Sequence, residues 1–189
     1  LTKMNGAGSL GHEWWHALDG YFARSRGQSG EMMTEARDVS LAARGSQFVH
    51  QGAVRKEMIE AFGSINRAIK QTSLKERSRK LDDKRSKEYW TTDRELSARA
   101  FESYLIAKLQ DQNASNDYLA NIVSEKSWDT EAALGMRLDG SYPYPTAGEI
   151  PAIRAGFDEF FGTIEEREEG DRRVLFSKQA MSQGEKPAK

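Results

Sequence analysis

Cysteine is absent from the chain, so neither a disulfide nor a thiolate-held metal is open to it. Any metal must be held by histidine and carboxylate. No apolar run is long enough to span a bilayer and no stretch reads as a signal peptide, so no membrane partner is expected. An excess of one charge is also missing. The 28 basic and 29 acidic residues leave a net charge of −1, too little to steer the whole molecule toward nucleic acid. No internal repeat is visible. The 189 residues suffice for one domain with a real core, and 30% charged residues fit a soluble protein.

Histidine is scarce too. There are only three, and two of them fall within Gly11-His12-Glu13-Trp14-Trp15-His16-Ala17-Leu18-Asp19. A helix places residues i and i+4 on one face, so His12 and His16 can offer two imidazoles to one metal ion. Glu13 projects around the axis from them and is placed to act on water as a general base. Two nitrogen ligands, a base and an open position are what a zinc hydrolase requires. Ser9 is a candidate N-cap, and no proline interrupts the run from Ser9 to Arg24. The competing reading makes the histidines and Glu13 ordinary helix residues. Trp14 and Trp15 read as packing residues rather than substrate contacts.

Beyond this helix, residues 25–30 read as a loop and 31–44 as a weakly periodic, helix-permissive stretch. Val54, Met58, Ala61, Phe62, Ile65 and Ile69 form the stripe of an amphipathic helix between Gly52 and Gln71, with Gly63 weakening it slightly. The run from Arg67 to Glu88 is densely charged with a basic excess. It reads as a solvated helical hairpin rather than a nucleic-acid surface, because no aromatic residues are interleaved to stack bases. Leu96, Ala100, Phe101, Tyr104 and Leu105 form the stripe of the next helix. Residues 111–127 are read as packing over it, and 139–145, with Tyr142 and Tyr144, as a rigid extended loop. Thr146 and Glu149 are spaced as a capping box for a last helix. The fold class expected is mainly α, with a domain over residues 1–164 and a charged, disordered tail over 165–189.

Two histidines leave a zinc site one protein ligand short. Positions 19 and 22 are Asp and Phe, which excludes the class with a third histidine downstream of a glycine. Asp19 lies roughly 10 Å along the axis from His12, too far to complete the site, but it falls on the histidine face and can orient an imidazole from behind. The third ligand is then a carboxylate on a second helix. Glu95 is the leading candidate and Glu102 the alternative; with Arg99 they share a face at i, i+4 and i+7. Glu95 has a competing role in a capping box with Thr92. His50 is a lone histidine in an apolar setting and is not expected to ligate.

Residues 6–22 around the histidine motif, Tyr89-Trp90-Thr91-Thr92, and Glu95-Leu96-Ser97-Ala98-Arg99-Ala100-Phe101-Glu102-Ser103-Tyr104 together resemble the first large polyvalent protein-associated domain. Residues 116–120, Tyr144-Pro145 and 157–161 add to the likeness, which spans most of residues 1–164. Such domains occur in large multidomain proteins of bacteriophages and conjugative elements. The resemblance implies action in a bacterial host cytoplasm and further domains N-terminal to this one. The Glu-x-x-Ala-x-Ala-Phe pattern is also similar to the second-helix motif of lethal-factor-like zinc peptidases. That likeness implies a zincin-like helical core with Glu95 as zinc ligand and Tyr89 as the residue polarising the substrate carbonyl.

The expected function is therefore a zinc-dependent peptidase: Zn²⁺ on His12, His16 and Glu95, Glu13 as base, and Tyr89 or Arg99 aiding the oxyanion. Arg99, Glu102 and Asp19 form the supporting layer, and a protein or peptide is the substrate. The alternative is a non-catalytic helical interaction module with a structural or vestigial metal site. Nucleic-acid association through residues 67–87 is a weaker third reading. Proteins with this motif usually carry a sheet before the motif helix. Leu1-Thr2-Lys3 reads as the end of its last strand and residues 4–8 as the turn, with most of the sheet expected outside this chain.

Overall fold

The structure is a computed structural model, and it describes residues 9–27, 30–49, 54–169 and 172–177. The strand and turn expected at residues 1–8, and His50, lie outside the described residues. Among the described residues the architecture is mainly α: seven helices and one two-stranded sheet.

Helix α1 (Leu10–Ser25) follows Ser9, which occupies the N-cap position without a side-chain capping bond. Its two long faces differ in kind. One carries His12 and His16. The other buries Trp15 completely among Phe62, Phe101, Phe157 and Phe160, whose ring centroids lie 4.9–6.0 Å from the indole. This aromatic cluster is the centre of the core. A short 3₁₀ turn (Met33–Glu35) and α2 (Arg37–Ala43) replace the weakly periodic helix expected there. Helix α3 (Lys56–Lys70) buries the predicted stripe.

Gly63 weakens α3 by propensity, but packing requires it. A Cβ there would stand 2.7 Å from Ala42 Cβ and 2.9 Å from the Ala43 amide, so only glycine lets α2 lie against α3. Gly11 serves α1 in the same way. Its N–H donates to Leu119 O at 2.8 Å, and a Cβ would collide with that carbonyl and with Leu105. This bond ties residues 116–120 to the start of α1, beside the end of the second helix they were expected to cover.

Helix α4 (Leu74–Asp82) belongs to the charged run, yet several of its charges are ties rather than solvated ornaments. Arg77 forks onto Glu149 at 2.7 and 3.0 Å and also donates to the carbonyls of Tyr142 and Tyr144. Arg67 donates to the last carbonyls of α2, Ala42 and Ala43. Helix α5 (Asp93–Asp111) crosses α1, followed by α6 (Glu125–Ala133) and α7 (Ile150–Gly162), which packs on α3 and α5. Glu149 reaches back to the Thr146 amide at 2.9 Å, the acidic half of the predicted capping box.

The expectation of a disordered tail from residue 165 is corrected over its first part. Strands β1 (Ile164–Glu169) and β2 (Arg172–Ser177) pair antiparallel, Ile164 opposite Ser177. Leu175 packs against the core, and Tyr21 Oη donates to its carbonyl at 2.9 Å. Ile164, Leu175 and the bond from Tyr21 seat on the core a hairpin that charge content alone reads as unfolded.

Candidate metal centre

The centre lies where α1 crosses α5. His12 Nε2 and His16 Nε2 approach to 3.1 Å, and the Glu95 carboxylate meets both, Oε2 to His12 at 3.3 Å and Oε1 to His16 at 3.3 Å. Three ligand atoms on a tetrahedral zinc, with bonds of about 2.0–2.1 Å, stand about 3.3–3.4 Å apart. The Nε2–Nε2 edge and, for either carboxylate oxygen taken as the ligand, one Nε2–O edge lie near that spacing, and one ligand atom from each of the three residues lies within 4.8 Å of the others.

The donor set is open to a proton or a metal ion. Two imidazole nitrogens that face each other at 3.1 Å beside a carboxylate put lone pairs against lone pairs unless one or other cation lies among them. Burial lowers the His12 pKa, but Glu102 and Glu95 outweigh burial and push it up to about 9. Burial would raise Glu95, yet His12 and His16 hold its carboxyl far below the usual range. The site is thus built to hold positive charge, and a metal ion satisfies the same requirement.

Glu102 takes a different position from Glu95. It lies two turns along α5 from Glu95 and accepts from His12 Nδ1 at 3.1 Å. That bond puts the proton on Nδ1 and leaves Nε2 as the free donor atom, the arrangement by which a carboxylate orients a metal-binding histidine. Glu95 therefore faces the imidazole nitrogens that converge, and Glu102 stands behind one of them. The capping box for Glu95 is not formed: Thr92 Oγ1 donates to Tyr89 O instead.

Two supporting residues take roles other than those expected. Asp19 is fully buried, but its oxygens accept from the Thr34 amide at 3.0 Å and the Thr34 hydroxyl at 2.6 Å. It orients the 3₁₀ turn, not an imidazole, and His16 Nδ1 is buried with no partner. Burial pushes Asp19 up to about 6, against the pull of Thr34, Met33 and the charge of His16. Arg99 is only 2% exposed and donates to Pro143 O at 2.8 Å, Ser78 Oγ at 3.2 Å and Trp90 O. So enclosed a guanidinium cannot meet a substrate. Its reason for being there is to hold three segments around α5.

Glu13 is exposed, one position past His12. Tyr89 is 37% exposed, and its phenol is pushed up by burial and by the negative charges of Glu95 and Glu13. Tyr89 thus lies in the field of Glu95 and Glu13. Composition and spacing missed Asp82, which reads as one acid in a basic run. Its partners are the backbone amides of residues 89–91, and a bond to an amide leaves no trace in side-chain periodicity.

Residues 81–168 match the family model of large polyvalent protein-associated domain 1. The matched segment holds Asp82, Tyr89, Glu95, Arg99 and Glu102, whereas His12, Glu13 and His16 precede it. No curated protein and no solved structure gives a match.

Proposed function

We propose that this chain is a zinc-dependent hydrolase of the peptidase kind. The observation that carries the reading is the convergence of His12 Nε2, His16 Nε2 and Glu95 at 3.1–3.3 Å, with Glu102 fixing the His12 tautomer. Zinc held there supplies a Lewis acid able to bring the pKa of water down to about 7. Glu13, exposed beside His12, accepts the proton of the attacking water and returns it to the leaving amine. The Tyr89 phenol donates to the oxygen on which negative charge develops. Glu102 keeps the His12 proton on Nδ1 throughout, so Nε2 remains a ligand. The substrate is a protein or peptide, and nucleic acid has no part in the reaction.

The association of the matched family with large polyvalent proteins supports a place beside other domains of one polypeptide, acting in a bacterial cytoplasm. No helix among the described residues is long and apolar enough to cross a membrane.

One observation favours a second reading, a non-catalytic helical interaction module with a structural or vestigial metal site. The family match begins beyond the histidine helix. Metal analysis and cleavage separate the two. The parent is expected to bind about one zinc per chain, and His16→Ala and Glu95→Ala to bind almost none. Glu13→Gln is expected to keep the zinc while cleavage of a peptide library falls by about 10²–10⁴-fold. Retained zinc in both ligand variants sinks the site. Zinc without cleavage in the parent favours the interaction module.

A further inference from the structure

Between α4 and α5 the chain runs through Tyr89-Trp90-Thr91 without forming helix or strand, yet its backbone is held from both sides. Asp82, the last residue of α4, is 8% exposed and accepts four hydrogen bonds. Oδ1 takes the amides of Tyr89 and Trp90, both at 3.0 Å. Oδ2 takes the Thr91 amide at 2.9 Å and its hydroxyl at 2.7 Å. Burial works against the charged form, but these donors outweigh it and hold the carboxyl below its ordinary value.

From the other side Arg99 donates to Trp90 O, and its guanidinium lies 4.9 Å from the centre of the Trp90 ring. Thr92 closes the turn, its amide and hydroxyl both donating to Tyr89 O. Five consecutive backbone polar groups, from the Tyr89 amide to the Thr91 amide, thus have assigned partners. A connecting segment rarely needs so much fixing for its own sake. Of its three side chains Thr91 is buried and Trp90 half-buried beside Arg99, which leaves the exposed Tyr89 as the one the strap presents.

We propose that Asp82 and Arg99 clamp this strap so that the Tyr89 side chain, presented just ahead of the α5 turn that carries Glu95, is held in one place before any substrate arrives, which makes Asp82 a positioning residue for the reaction. The proposal rests on the reading of Tyr89 as the oxyanion donor. A phenol on a loose strap would have to be ordered at every turnover. One on a clamped strap is already in place, and a donor fixed in advance is what stabilises developing charge.

The test uses the full chain labelled with 3-fluorotyrosine, with Tyr89→Phe assigning the Tyr89 fluorine resonance. Asp82→Asn turns an amide group toward the strap's N–H donors, and Thr91→Val removes one hydroxyl bond while keeping the shape. In Asp82→Asn the Tyr89 resonance is expected to move toward that of free tyrosine. Losing bonds of this charged kind should speed amide exchange at residues 89–91 by roughly ten-fold or more. The other tyrosine resonances and the zinc content stay as in the parent. Thr91→Val moves Tyr89 the same way by less, and it decides the matter if Asp82→Asn does not fold. An unmoved Tyr89 resonance, or a shift shared by all the tyrosines in both variants, overturns the clamp. A parent that binds no zinc but shows the selective Tyr89 shift keeps the clamp and removes the peptidase reading.

Discussion

Helices α3 and α5 are both deeply buried, but they are buried for different ends. In α3 the buried residues are apolar except Asn66, whose side chain donates to Thr34 O at 2.8 Å. In α5 every residue from Glu95 to Tyr104 is buried, and Glu95, Arg99 and Glu102 are among them. An ionised group removed from water costs several kcal/mol unless it is paired, so three on one buried helix have to be matched individually. They are: Glu95 by two imidazoles, Glu102 by His12, and Arg99 by two carbonyls and a hydroxyl. Helix α3 lowers the free energy of the fold. Helix α5 spends part of that stability on holding charges in fixed places.

The largest effect that separates the two helices is expected from Phe62→Ala. Phe62 is fully buried on α3 and packs against Trp15 and Phe160. Its truncation should cost about 3–5 kcal/mol in urea melts while leaving one zinc per folded chain. Lost zinc in protein that is still folded would show that core and site are not separable. A smaller effect with the opposite signature is expected from Glu102→Gln. Metal affinity, measured by competition with a chelator, should fall about 10–100-fold because His12 loses its orienting carboxylate. Stability of the metal-free protein should change less than in Phe62→Ala.

A third contrast is a dependence on pH. His12 has its pKa raised in the folded state, from 6.5 to about 9. Its contribution is therefore fully present below pH 6.5 and is lost as pH rises through about 9. The metal-free protein should lose stability across that interval, and His12→Gln should flatten the profile there. An equal slope in parent and variant would show that the histidine–carboxylate group contributes nothing.

Much of this contrast could be read from residue order, and some could not. The stripe of α3 from Met58 to Ile69 and the i, i+4 histidines of α1 are periodic features, and helix geometry turns them directly into faces. Glu95 and Glu102 were legible as candidates because they share a helix face. Which of them meets the converging nitrogens depends on how α5 crosses α1, a tertiary fact. Asp19 and Arg99 were placed near the site, but their partners were not foreseeable. Asp19 is three residues past His16 yet bonds to Thr34, fifteen residues on, and Arg99 bonds mainly to backbone carbonyls. Asp82 was illegible for the same reason. The hairpin at 164–177 was hidden because its charges are countable, whereas the seating of Leu175 on the core is not.

A single bond within the aromatic core also has a consequence for the site. Trp15 Nε1 donates to Ser97 Oγ at 2.9 Å, joining α1 to α5 on the side away from His12 and His16. Stacked rings tolerate sliding, and a greasy seam between two helices has several settings of nearly equal energy. The indole N–H behaves like a detent. Shift α5 by one turn, about 5.4 Å, and it would face Ala100 or Phe101, which offer no side-chain acceptor. One turn the other way it meets Arg94, itself a donor, or Asp93, already paired with Lys70. The bond to Ser97 therefore favours the observed setting of the two helices over the shift toward Ala100 and Phe101. The setting of His12 and His16 against Glu95 is thus supported from the dry side of the molecule.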